Sequence, residues 1–209
     1  MDEKNLTAQT TPETALAAPA PAYAPTMWND SKLLAQAYKA AQYLAGSDLV
    51  PEKTYKNKPQ NCLIALDMAN RMNISPLLIM QNLYIVKGKP GWSGQFCISA
   101  VNGCGRFTTL EFIDLPDGGC YAQATELRTG KLCVGTAITW DMVKGEGWLN
   151  KDGSKWKTMP EQMFVYRAAS FFARKYCPEV LMGLQTVEEI RDVSGYEDTE
   201  KPVVEIVLD

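Results

Sequence analysis

The densest set of residues able to do chemistry lies between Lys144 and Lys175, where seven residues are basic and three acidic. The run Trp148-Leu149-Asn150-Lys151-Asp152-Gly153-Ser154-Lys155-Trp156-Lys157 places lysines beside tryptophans in a glycine-containing stretch. Single-stranded nucleic acid offers phosphates, which attract cations, and unpaired base faces, which stack on aromatic rings. A binder that tolerates any sequence needs both kinds of group close together. Lys155 and Lys157 are the phosphate candidates here, and Trp148 and Trp156 the stacking candidates. The alternative is a solvated polar loop whose tryptophans dock into the core. Arg167 and Arg174 follow, with Lys175 next to the second. Seven residues apart on a helix, the two arginines lie within about 20° of each other and would form a stripe. The alternative for Arg167 is an ion pair with Glu161 or with a carboxylate of the C-terminal tail.

A second group of candidates is Lys87, Lys89 and Arg106. The first two sit in Lys87-Gly88-Lys89-Pro90-Gly91-Trp92-Ser93-Gly94, whose glycines either let a phosphate approach the backbone or simply build a turn. The segment lacks the GxxxxGK[ST] pattern and is no P-loop. Glu111, Asp114, Asp117 and Glu126 are scattered carboxylates that would hold a metal only if the fold gathered them. The chain contains no histidine, which excludes Ser-His-Asp and Cys-His chemistry. Its six cysteines include no CxxC pair, so buried free thiols in a reducing cytoplasm are expected rather than zinc or disulfides.

The elements that must position these residues follow from pattern. A helix is expected from Asn29 or Ser31, either of which can cap it, to Gly46, with others over Asn61–Met72 and from Ser75 to Gln81. Leu83–Val86 reads as a short strand, 88–91 as a turn and Gln95–Gly103 as a helix. Arg106–Ile113, Tyr121–Glu126 and Leu132–Thr139 read as an antiparallel meander. A polar loop from Val143 to Thr158 then leads to a helix opened by Pro160 and ended before Pro178. The predicted class is α+β: N-terminal helices, a central antiparallel meander and a basic late helix packed on it.

Charge divides the chain. Residues 186–209 carry eight acids and two bases, net -6, whereas residues 31–185 carry a surplus of +6. The expected organisation is a disordered, Ala/Thr/Pro-rich segment 1–28, one DNA-binding domain 29–185 and an acidic tail 186–209. The tail, from Glu188 onward, is expected to shield the basic groove or to recruit a partner. No run of about 18 apolar residues is present.

The run from Asn70-Arg71-Met72-Asn73-Ile74-Ser75-Pro76 through Leu83-Tyr84-Ile85-Val86-Lys87-Gly88-Lys89-Pro90 resembles phage and prophage recombination proteins of the RecT type (RecT/Redβ superfamily). The stretch Trp156-Lys157-Thr158-Met159-Pro160-Glu161-Gln162-Met163 through Phe171-Phe172-Ala173-Arg174-Lys175-Tyr176-Cys177-Pro178 resembles that family's closing pattern of a tryptophan, a basic helix and an aromatic-x-Pro end. The likeness covers about residues 60 to 190. It implies ATP-independent annealing of single-stranded DNA in phage recombination, with no enzymatic step and no cofactor, Mg being at most a modulator. The partners it implies are single-stranded DNA, the annealed duplex, further copies in a ring or helical filament, and a phage exonuclease or host single-strand binding protein. The implied setting is the cytoplasm of a bacterial host. By position, Lys155, Lys157, Arg167, Arg174 and Lys175 would line the DNA groove. Other readings are a binding module that protects DNA without annealing it, a metal-dependent nuclease built on the scattered acids, and a phage interaction protein with no nucleic-acid role.

Overall fold

A computed structural model describes residues 26–86 and 88–193. The expected disordered segment lies almost wholly outside them, as does the tail from 194 onward.

The first layer is helical. Helix α1 (Ser31–Ala45) is capped by Asp30, between the two caps expected, whose carboxylate accepts from the backbone N–H of Lys32 at 2.8 Å and of Leu33 at 3.2 Å. It packs on α2 (Pro59–Met72), with Ala41 and Ala45 buried at the close approach. Asn73 ends α2 in a left-handed conformation, a residue type that tolerates it. Helix α3 (Pro76–Asn82) begins with proline in its first turn, where no N–H is needed.

Strand β1 (Leu83–Val86) pairs antiparallel with β2 (Lys89–Trp92), Leu83 opposite Trp92 and Val86 opposite Lys89. The turn expected over 88–91 is therefore mostly strand. Pro90 and Gly91 are poor strand formers, and the reason for Gly91 is tertiary: a Cβ there would come within 2.6 Å of Ile190 Cδ1. Ser93 caps α4 (Gly94–Gly103), accepting from Phe96 N–H at 3.0 Å. Beneath it Trp92 stacks on Phe96 and donates its indole N–H to the Leu181 carbonyl at 3.0 Å.

The second layer is a four-stranded antiparallel sheet. Strand β4 (Gly119–Thr125) is central, flanked by β3 (Glu111–Asp114) on one side and by β5 (Leu132–Val134) and β6 (Ile138–Thr139) on the other. The expected strand Arg106–Ile113 is reduced to β3 and a single bridge, Phe107 to Glu126. The expected strand Leu132–Thr139 splits into β5 and β6 around residues 135–137. Burial alternates along β4, with Cys120, Ala122 and Ala124 inward. These small side chains let α6 (Pro160–Tyr176) lie close against the sheet, with Ala168, Ala169 and Phe172 among its buried residues. The architecture is α+β.

Two segments depart from expectation. The polar loop from Val143 to Thr158 contains the end of α5 (Trp140–Gly145) and a 3-10 turn, Trp148–Asn150. After a 3-10 turn at Pro178–Leu181 comes α7 (Val187–Val193), inside what the charge pattern assigns to the acidic tail. Val187, Glu189, Ile190 and Asp192 are buried, so the domain continues past residue 185 to the end of α7. All six cysteines are free, five buried and Cys104 half-buried. Burial pushes the Cys177 thiol up to about 12 and that of Cys120 up to about 11, where neither is a ready nucleophile. Among the described residues no helix is long and apolar enough to cross a membrane.

Candidate nucleic-acid interface

The lysine–tryptophan stretch is shaped from beneath. Trp148 and Trp156 stack on each other, centroids 5.4 Å apart and planes inclined by 26°, and Trp156 meets Phe164 edge-on at 5.1 Å. The Arg167 guanidinium lies 4.0 Å from the Trp148 ring centre. Only 5% of Trp148 and 1% of Trp156 is exposed. Neither ring presents a face to solvent, so the expected stacking platform is a core cluster. Ten residues of mixed polarity cannot show this in sequence, because the ring's partners, Phe164 and Arg167, arrive from α6.

The arginine stripe forms on α6 as its spacing predicts, but it faces α7. Arg167, 3% exposed, makes an ion pair and hydrogen bond with Asp192 Oδ2 and lies 3.6 Å from Glu189 Oε1. Arg174 Nη2 is 2.5 Å from the same Glu189 oxygen, and its guanidinium sits 4.8 Å from the Phe171 ring centre. Arg167 is thus paired with tail carboxylates, not with Glu161. Asp192 Oδ2 also accepts the Trp156 indole N–H at 2.9 Å. Burial lowers the Arg167 pKa, and the facing Asp192 and Glu189 oppose that shift. Burial raises the Asp192 carboxyl, opposed by Trp156, Arg167 and Lys151. The charges offset one another in a region with little water to do it.

The sequence signal that α7 carries is Thr186-Val187-Glu188-Glu189. Thr186 N–H donates to Glu189 Oε2 at 3.0 Å and Glu189 N–H donates to Thr186 Oγ1 at 3.4 Å, the reciprocal bonds of a capping box. A reading by charge alone passes over it. Glu189 therefore has two roles, one oxygen on the cap and the other on the arginines.

Lys144, Lys155 and Lys157 stay outside this network, whereas Lys151 acts on Asp192 through its charge. Lys144, Lys155 and Lys157 are exposed and Lys151 half-buried, and none has an ion-pair partner among the described residues. Lys151, Lys155 and Arg191 line a cavity of about 250 Å³ between the loop and α7, with Asp152, Glu188 and Asp192 on the same walls. Burial raises the Glu188 carboxyl, which accepts from Gly94 N–H at 3.1 Å.

The remaining candidates are dispersed. Lys175 donates to the Val134 carbonyl at 3.1 Å, on the sheet side of α6. Arg106 is ion-paired with Glu179 and donates to the Tyr176 carbonyl at 3.2 Å, tying a loop to the end of α6. Lys89 is exposed on β2, and Lys87 lies outside the described residues. Glu111, Asp114, Asp117 and Glu126 are not gathered: among the described residues no three acidic, histidine or cysteine side chains lie where they could hold a metal ion.

No family model matches the sequence, and no curated protein or solved structure matches it. The arrangement must be judged on its own chemistry. It offers exposed lysines on a base of packed aromatic rings.

Proposed function

We propose that this chain binds single-stranded DNA and anneals complementary strands without a nucleotide cofactor. The observation that carries the reading is the unpaired set Lys144, Lys151, Lys155 and Lys157 on a segment anchored from below by Trp148, Trp156 and Arg167. Cations that no carboxylate satisfies are free to neutralise phosphate, and a fixed base keeps them together. The resemblance of the 156–178 run to RecT-type proteins supports the same reading.

With Trp148 and Trp156 buried, contact is led by phosphates rather than by base stacking. Such binding ignores sequence, and it lowers the repulsion between two strands while their bases remain free to pair. Annealing makes and breaks no covalent bond, so a chain without histidine is at no disadvantage. Assembly of several copies on one strand would add up weak contacts per copy, and a partner nuclease would supply the single strands.

The test uses two labelled complementary oligonucleotides without ATP. The expected result is binding of each strand at low salt, steep loss of binding as salt rises, and pairing faster than in buffer alone. Binding without faster pairing would reduce the function to strand protection. Mg-dependent degradation of the label would replace the reading with a nuclease, and no binding at low salt would leave an interaction protein.

A further inference from the structure

We infer that α7 is a built-in competitor for the nucleic acid, covering a second polyanion site on α6 formed by Arg167 and Arg174. The inference rests on the reading above and adds the regulation of the same surface.

The geometry of occupation comes first. Two carboxylates, Glu189 and Asp192, engage both arginines of the α6 stripe. A guanidinium takes a carboxylate and a phosphate through the same planar fork of N–H donors, so the groups that α7 satisfies are those a DNA backbone would satisfy. Trp148, over which Arg167 stacks, and the Trp156 N–H, which Asp192 accepts, lie in the same covered patch.

The helix is also small, held by its ion pairs, by hydrogen bonds from Trp156 and Gly94 and by two apolar side chains. Its seven described residues are too few to persist as an isolated helix. Val187 and Ile190 are its buried apolar side chains, and the residues before it are joined to the β1–β2 hairpin by one bridge, Thr186 to Trp92. Its ion pairs add little net hold, because burying those charges costs about what their attraction returns. Burial already raises the Asp192 and Glu188 carboxyls. Beside α7, a cavity of about 250 Å³ is lined by Lys151 and Lys155 of the loop and by Glu188, Arg191 and Asp192 of α7. A strand captured on Lys155 would meet α7 next. As DNA and α7 exclude each other from the arginines, each weakens the other by the same factor.

The test uses the full chain. Glu189→Gln keeps an acceptor for the capping box, and Asp192→Asn keeps an acceptor for Trp156, so the double variant removes charge while leaving the hydrogen-bonding shapes. Anisotropy with labelled oligo-dT should show affinity about fivefold tighter, since less of the protein is held in the covered state. The slope of log affinity against log salt should steepen by about 1.4, for two more phosphates neutralised. Unchanged or weaker affinity in a folded double variant would overturn the inference. Should the variant fail to fold, hydrogen exchange on the unmodified chain decides: the amides of Ile190, Arg191, Asp192 and Val193 should exchange faster when oligo-dT is bound. Bound DNA with α7 protection unchanged overturns the competitor alone, whereas no binding by either protein at low salt overturns the annealing reading and the competitor with it.

Discussion

Trp156 donates its indole N–H to Asp192 Oδ2 at 2.9 Å, joining the lysine loop to α7 across 36 positions of sequence. The same oxygen holds Arg167, so one carboxylate fixes the loop, the late helix and α7 relative to one another. Through this contact a loop that reads as solvated becomes a rigid base for exposed lysines.

Replacing Trp156 with Phe keeps the ring stack and removes the donor. A buried carboxylate then loses one of its partners, which costs about 1–3 kcal/mol. Urea unfolding followed by circular dichroism should show the midpoint move down with the slope unchanged.

Arg167 and Lys155 should behave as opposites. Arg167→Ala strands Glu189 and Asp192 without their buried partner and should cost about 3–5 kcal/mol of stability. The triple change of Lys151, Lys155 and Lys157 to Ala should leave the melting temperature within a degree or two, because surface lysines without partners add little to the fold. Its salt slope for single-strand binding should flatten by about 0.7 for each phosphate that is no longer neutralised. A triple variant that binds as tightly as the unmodified chain at low salt would remove the lysine loop from the interface.

Gly94 sits against the Tyr166 ring, where a Cβ would lie 2.5 Å from Cγ. Gly94→Ala should force α4 away from α6 and cost about 1–3 kcal/mol, visible as a lower thermal midpoint. Gly103→Ala is the control, since a Cβ there meets nothing within 4 Å.

Acid should not lower the stability of the fold at first. Burial raises the carboxyls of Glu188 and Asp192 above their values in an unfolded chain, although Gly94 N–H and Arg191 oppose the shift at Glu188, and Trp156, Arg167 and Lys151 oppose it at Asp192. A raised carboxyl favours folding in its protonated form, so its contribution is full at low pH and is lost as pH rises through the raised value. The melting temperature should therefore hold or rise between about pH 7 and about pH 5. A steady fall over that interval would contradict the burial of these two groups.

Local pattern alone determined a good deal of this protein. The late helix opens at Pro160 and ends before Pro178 as proline chemistry demands, and β1 lies at Leu83–Val86, where its β-branched and aromatic residues cluster. The seven-residue spacing did place Arg167 and Arg174 on one line of α6, since helical geometry depends only on the chain itself. What that line faces was not in the spacing. Only the tertiary structure turned it toward α7, buried Trp148 and Trp156 against Phe164 and Arg167, and made a strand of Lys89–Trp92 because Gly91 must pass beneath Ile190. The acids of α7 read as part of an acidic tail outside the domain for the same reason. A residue's charge and periodicity are properties of its neighbours in sequence, whereas burial is a property of what packs across from it, and here those partners lie tens of residues away.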